Sequence, residues 1–193
     1  MGLRRTETDS LQLPQGVDIF QQTYEKQPLP EGAIVVRLTV NPDDFGGSFK
    51  ENWRSDDSGF LENFKELGVD FKPRQSNTSM VAPGSKRFWH IHPEKAGRPG
   101  QNEIWIPTGT LLVGLIDLRK GSSTYMARSK VVLSQDRALY IPAGVAHGFI
   151  NPTNSFVGLI YFADQKFEDG PNTREYRINP KQLPYDFVEP ELM

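Results

Sequence analysis

Apolar and polar residues alternate along this chain in runs too short to make helices. From Ala33 onward the runs AIVVRLTV, SNTSMVA, KRFWHIH, NEIWIP, TLLVGLIDL, KVVLSQDRALYIP and SFVGLIYFA follow one another. Turn signals lie between them: PGS at 83–85, RPG at 98–100, PTG at 107–109, RKGSS at 119–123 and PAG at 142–144. Short β-rich runs at this spacing predict an all-β antiparallel barrel or sandwich, not parallel strands joined by crossover helices. One stretch breaks the pattern. In DSGFLENFKEL at 57–67, Phe60, Leu61, Phe64 and Leu67 recur at helical spacing and predict one short helix. Residues 1–32 show little periodicity and predict an N-terminal arm. Residues 33–193 then form a single barrel domain, with the Pro-rich end NPKQLPYDFVEPELM wrapping its surface.

Composition narrows the function classes. A chain of 193 residues with 37% hydrophobic residues can bury one ordinary core. A formal charge of -2 predicts neither nucleic-acid nor membrane-surface binding. Cysteine is absent, which removes disulfides and thiolate chemistry and fits a reducing compartment. No apolar run approaches the roughly 20 residues a membrane helix needs, and the polar start MGLRRTETDSLQLPQG does not read as a secretory signal. A cytoplasmic protein is expected.

The candidate chemistry is concentrated in histidine. The chain has only 3, in two segments. His90 and His92 share a face of one strand, because side chains on a strand repeat every second residue. His147 follows the turn Pro142-Ala143-Gly144 and opens a later strand. Two histidines on a strand also occur as ordinary polar pocket residues.

Gly84, His90, His92, Glu103 and Gly109, with Pro142, Gly144, His147 and Asn151, resemble the two paired motifs of the cupin superfamily. The resemblance implies an antiparallel jelly-roll barrel. It also implies that His90, His92, Glu103 and His147 hold one divalent metal, whether Zn, Mn, Fe or Ni, since this ligand set does not choose among them. The loop PEKAGRPGQN between His92 and Glu103 is longer than the motif allows, and Asp136 stands where its second half begins with Gly.

A more detailed likeness covers about residues 40–180. Asp44 to Glu51, FKPRQSNTS at 71–79, Arg87-Phe88-Trp89-His90, DLRKGS at 117–122, IPAGVAHGF at 141–149 and Leu159-Ile160-Tyr161 resemble, in order, the signatures of the dTDP-4-dehydrorhamnose 3,5-epimerase family. Members of that family act on nucleotide-linked 4-keto sugars. The likeness implies His90 as general base and Tyr161 as catalytic acid. It implies Gln75, Asn77, Arg87 and Glu51 as the lining of a sugar-nucleotide pocket, no organic cofactor, and a homodimer. Four positions depart. The family's diphosphate arginine is Gly46, its pocket lysine falls at Glu103, its base-orienting aspartate at Asn179, and a pocket tyrosine at Phe167. A metal held by the cupin ligand set would replace the lost lysine charge. As ligand, however, His90 could not also serve as base. Two alternatives follow: a metal-dependent cupin of another class, such as a small-sugar isomerase or oxygenase, and a sugar-binding cupin without catalysis.

Overall fold

In the computed structural model, which describes residues 2–6, 14–15, 19–23 and 28–188, the alternating runs become strands. In chain order these are β1 (Gly2–Thr6), β2 (Ile19–Thr23), β3 (Ile34–Arg37), β4 (Val40–Pro42), β5 (Ser48–Lys50), β6 (Gln75–Val81) and β7 (Lys86–Ile91). There follow β8 (Glu103–Pro107), β9 (Leu111–Asp117), β10 (Arg128–Leu133), β11 (Arg137–Ile141), β12 (Val145–Ile150), β13 (Val157–Ala163) and β14 (Tyr176–Arg177). Two five-stranded antiparallel sheets face each other, ordered β10-β9-β12-β7-β14 and β3-β11-β8-β13-β6. The hairpins β1-β2 and β4-β5 each stand as separate two-stranded sheets. This is the all-β antiparallel architecture expected from the runs, in the cupin-type jelly-roll form that the motif resemblance implies.

Apolar residues fill three layers. Trp105, Val113, Leu115, Leu139, Phe149 and Leu159 meet between the sheets. On the outer face of one sheet, Ile104, Ile106 and Phe162 lie under Leu61, Phe64 and Phe71. On the outer face of the other, Trp89, Ile116 and Ile150 lie under Val188 and its neighbours. Every residue of β8 is therefore buried. Fully burying a side chain of this size contributes roughly 1.5–3 kcal/mol, so β8 holds Glu103 and Trp105 in well-anchored positions.

The predicted helix over 57–67 shrinks to one turn, α1 (Glu62–Lys65). Asp56 is the reason. Its carboxylate accepts hydrogen bonds from the Ser58 and Phe60 amides at 2.9 and 3.0 Å, which commits 56–60 to a turn. Leu61 and Phe64 are still fully buried, whereas Leu67 is half exposed.

Residues 183–188 lie against one sheet. Trp89 Nε1 donates to the Leu183 carbonyl at 2.6 Å, and Phe88 stacks on Tyr185 with ring centroids 4.5 Å apart. At the end of β9, the carboxylate of fully buried Asp117 accepts from the backbone N–H, Nε and Nη2 of Arg119 and from the Ser122 and Thr124 hydroxyls. Glu31 docks on the same turn by accepting from the Ser123 amide and hydroxyl, both at 2.8 Å. No helix among the described residues is long and apolar enough to cross a membrane.

Candidate active site

His90 on β7 lies opposite His147 on β12, and His92 follows His90 by two residues, so all three rings face the space between the sheets. The pairing requires a glycine next to His147. A Cβ on Gly148 would lie 2.2 Å from Phe88 Cδ1 and 2.5 Å from the Arg87 carbonyl oxygen, where β12 and β7 shift register. Gly144, at φ 79°, makes the turn that starts β12. The facing sheet supplies Tyr161 on β13, which is opposite both Trp105 on β8 and Asn77 on β6. Glu103 is the first residue of β8.

His90, His92, Glu103, Asn77 and Tyr161 line a cavity of about 380 Å³, with His147 buried against Glu103. Trp105, Phe149 and Leu159 belong both to its wall and to the apolar core. Gln75 and Asn77 stand on β6, where inward residues are partly buried and outward ones exposed. Gln75 Nε2 donates to Asn77 Oδ1 at 3.0 Å, and Gln75 Oε1 accepts from the Phe167 amide at 2.7 Å. Arg87, Lys166, Arg174 and Arg177 bring positive charge to the same cavity. Glu51 is not brought there. It is exposed just past β5 and ion-paired with Arg54 at 2.9 Å, because the β4-β5 hairpin stands apart from both large sheets.

Three of the four residues read as a metal set converge. Single ligand atoms of His92, Glu103 and His147 all lie within 4.8 Å of one another, and all three residues are buried. His90 is not in that group. Its Nδ1 lies 3.4 Å from Glu175 Oε1 instead. His92 Nδ1 faces the Arg174 carbonyl at 3.2 Å and His147 Nδ1 the Val145 carbonyl at 3.0 Å. A carbonyl only accepts, so each Nδ1 carries the proton and each Nε2 turns toward Glu103. Those Nε2 atoms lie 3.2 Å from Glu103 Oε1 for His92 and 3.6 Å from Oε2 for His147. His147 Nε2 is buried without a hydrogen-bond partner. Gln101 and the indole of Trp105 also donate to Glu103, at 2.8 and 2.7 Å.

The charge states follow from these contacts. Burial opposes charge on Glu103, but the hydrogen bond from His92 and the nearby histidines outweigh it and hold the carboxyl at about 2. Burial likewise opposes charge on His92, yet Glu103 leaves its pKa raised. Burial pulls His147 down to about 4. His90 is also at about 4, lowered first by burial and then by the positive charge of Arg177. His90 is therefore a neutral imidazole near neutral pH, able to accept a proton. Burial, with the Glu103 and Glu175 carboxylates, raises Tyr161, so its phenol keeps its proton.

Glu175 is the residue that sequence reading misses. Asn179, at the position of the family's base-orienting aspartate, accepts from the Lys181 amide at 3.0 Å and does not line the cavity. The carboxylate beside His90 comes from four residues earlier. The signal for it was indirect: once the aspartate is absent, a nearby carboxylate in the C-terminal segment is the natural substitute.

The family model for dTDP-4-dehydrorhamnose 3,5-epimerase matches residues 28–192. Spore coat polysaccharide biosynthesis protein SpsL of Bacillus subtilis is 32% identical over 160 residues, covering 81% of this chain and 90% of that protein. The dTDP-4-dehydrorhamnose 3,5-epimerase of Methanothermobacter thermautotrophicus is 33% identical over 122 residues, which span 62% of this chain but only 60% of that enzyme. Among solved structures, ChmJ, a 3'-monoepimerase from Streptomyces bikiniensis in complex with dTDP-quinovose, superposes with a TM-score of 0.67 at 26% identity, covering 88% of this chain and 83% of that one. The likeness thus runs through both sheets and the C-terminal segment, and the chain belongs to the dTDP-4-dehydrorhamnose 3,5-epimerase family.

Proposed function

We propose that the protein is an epimerase acting on a nucleotide-linked 4-keto sugar, with His90 as base and Tyr161 as acid. One observation carries this reading. A neutral imidazole on one sheet and a protonated phenol on the other line the same cavity, so a sugar ring between them meets a base on one face and an acid on the opposite face. His90 takes the proton from the carbon next to the ketone, and the electron pair of that C–H bond moves into an enolate. The Tyr161 hydroxyl then returns a proton to the same carbon from the other side, inverting it. The positive charge of Arg87 reaches both His90 and Tyr161, where it favours the developing oxyanion. Gln75 and Asn77 offer polar groups for the substrate's hydroxyls and diphosphate.

Tyr161→Phe separates the two half-steps. It is expected to keep exchange of the sugar's α-hydrogen with deuterium from solvent, while inversion falls by about 10²-fold or more. Mass spectrometry and NMR of a dTDP-4-keto sugar follow both at once. Inversion at the wild-type rate would remove Tyr161 from the acid role.

A second reading is favoured by the two Nδ1 anchors. Backbone carbonyls that hold Nδ1–H and turn Nε2 toward a shared carboxylate are the usual supports of metal-binding histidines. His147 Nε2 also presents a bare lone pair to a carboxylate oxygen, an arrangement that a cation between them would relieve. His92, Glu103 and His147 thus fit a single divalent ion, which would supply Lewis-acid polarisation of the ketone. His90 lies outside that set, so a metal and a His90 base do not exclude each other. Elemental analysis of untagged protein is expected to find close to one equivalent of a divalent metal. Less than about a tenth of an equivalent would leave these residues a proton-sharing cluster.

We also place the protein in the cytoplasm as a homodimer. The absence of cysteine fits the first. The exposed Phe45 and Phe49, and the edge strand β6 with exposed Met80, fit the second. Sedimentation measures that pairing directly.

A further inference from the structure

We propose that Glu175 is the positioning residue for His90, taking over the task of orienting the base from a segment of the chain that carries no motif for it. The inference rests on the epimerase reading given above, and it names a residue that reading does not need to invoke.

Glu175 Oε1 lies 3.4 Å from His90 Nδ1, and both side chains are partly buried at the cavity wall. A carboxylate can only accept, so it selects the tautomer with the proton on Nδ1. That leaves Nε2 as the lone-pair nitrogen available to the substrate. When Nε2 takes a proton, the ring becomes a cation beside a carboxylate and is stabilised as it forms. Distances of this kind are often long without substrate and shorten when it binds.

The structure holds Glu175 in place from three sides. Its neighbours Tyr176 and Arg177 form β14 and pair with Ile91 and His90 on β7, which ties the carboxylate to the strand bearing the base. The carbonyl of Arg174 faces His92 Nδ1 at 3.2 Å. The long loop between His92 and Glu103 supplies the third brace. Arg98 donates to Glu168 and to the Asn172 carbonyl, and Lys95 sits 4.9 Å from the centre of the Tyr176 ring. Two departures from the expected motifs, the long loop and the missing aspartate, therefore belong together, because the loop braces the segment that brings the substitute carboxylate. Arg177 Nη2 lies 3.6 Å from the same Glu175 oxygen and keeps it directed at the cavity wall.

Glu175→Gln keeps the size of the side chain but loses the charge, and its amide can donate to Nδ1. Kinetics on a dTDP-4-keto sugar are expected to show kcat lowered by about 10²-fold or more with KM within about threefold, whereas Glu175→Asp recovers to within about tenfold of wild type. Nitrogen-15 NMR of the substrate-free protein is expected to find His90 protonated on Nδ1 in the wild type and shifted toward the Nε2–H tautomer in Glu175→Gln. The NMR result does not depend on the substrate. A wild type that turns over no 4-keto sugar but holds the Nδ1–H tautomer would overturn the activity and support the dyad. A wild-type His90 protonated on Nε2, or a Glu175→Gln variant with unchanged kcat, would overturn the role of Glu175.

Discussion

His90→Asn is expected to stop α-hydrogen exchange and epimerisation together, lowering both by about 10²–10⁴-fold. Asparagine is smaller than histidine but keeps a polar amide near the position of Nδ1 that can still meet a hydrogen bond from its neighbours, and it accepts no proton near neutral pH. The site offers no ready substitute. His147 is buried with its lone pair directed at Glu103, and His92 shares a proton with the same carboxylate. Among the described residues, His90 is the one of the three rings that is neutral, lines the cavity and does not turn its Nε2 toward Glu103. Uptake of deuterium from solvent into a dTDP-4-keto sugar is the direct measurement. Exchange at the wild-type rate in the variant would refute the base assignment. Because His90 stands outside the His92–Glu103–His147 group, the same variant should keep whatever metal the wild type holds. Loss of that metal would put His90 back among the ligands.

Asp117→Asn is expected to cost about 3–5 kcal/mol of folding stability at pH 7, the range for breaking a buried charged network by altering one partner. Against a typical total of about 5–15 kcal/mol this is a large share. Asp117 is wholly buried and accepts from Arg119, Ser122 and Thr124. An amide nitrogen in place of one oxygen would face donors, leaving at least one of them unpaired. Burial pushes the Asp117 carboxyl up, but the donated hydrogen bonds outweigh it and hold the group well below the ordinary carboxylate range. A carboxyl depressed in the folded state contributes stability that is fully present above its unfolded pKa of about 4 and is lost as pH falls through the folded value. The gap between wild type and variant should therefore be widest at neutral pH and narrow in acid. Urea unfolding at pH 7 and near pH 3 compares the two. Equal midpoints at pH 7, or a gap no smaller near pH 3 than at pH 7, would show that Asp117 carries no such network.

How far the site was legible depends on the residue. His90, His92, Glu103, His147 and Tyr161 were legible because each falls in a segment that resembles a cupin or epimerase motif; four of them line the cavity, and His147 is buried against Glu103. Gln75 and Asn77 were legible for the same reason, two residues apart on one face of β6. Glu51 lay in an equally good motif, but its hairpin pairs with neither large sheet, so the local match said nothing about reaching the cavity. Glu175 had no motif at all. It arrives through a two-residue strand, β14, that no periodicity could reveal.

Local chemistry determined the strands, their faces and the candidate side chains, since a period of two and the conformations of Gly and Pro act over a few residues. The tertiary structure decided which of those side chains meet. Whether His90 joins a metal group or a carboxylate dyad depends on its distances from Glu103 and His147 on one side and from Glu175 on the other. Those distances are set by how two sheets pack, where a bulge falls at Gly148, and how the loop after His92 braces the segment before β14.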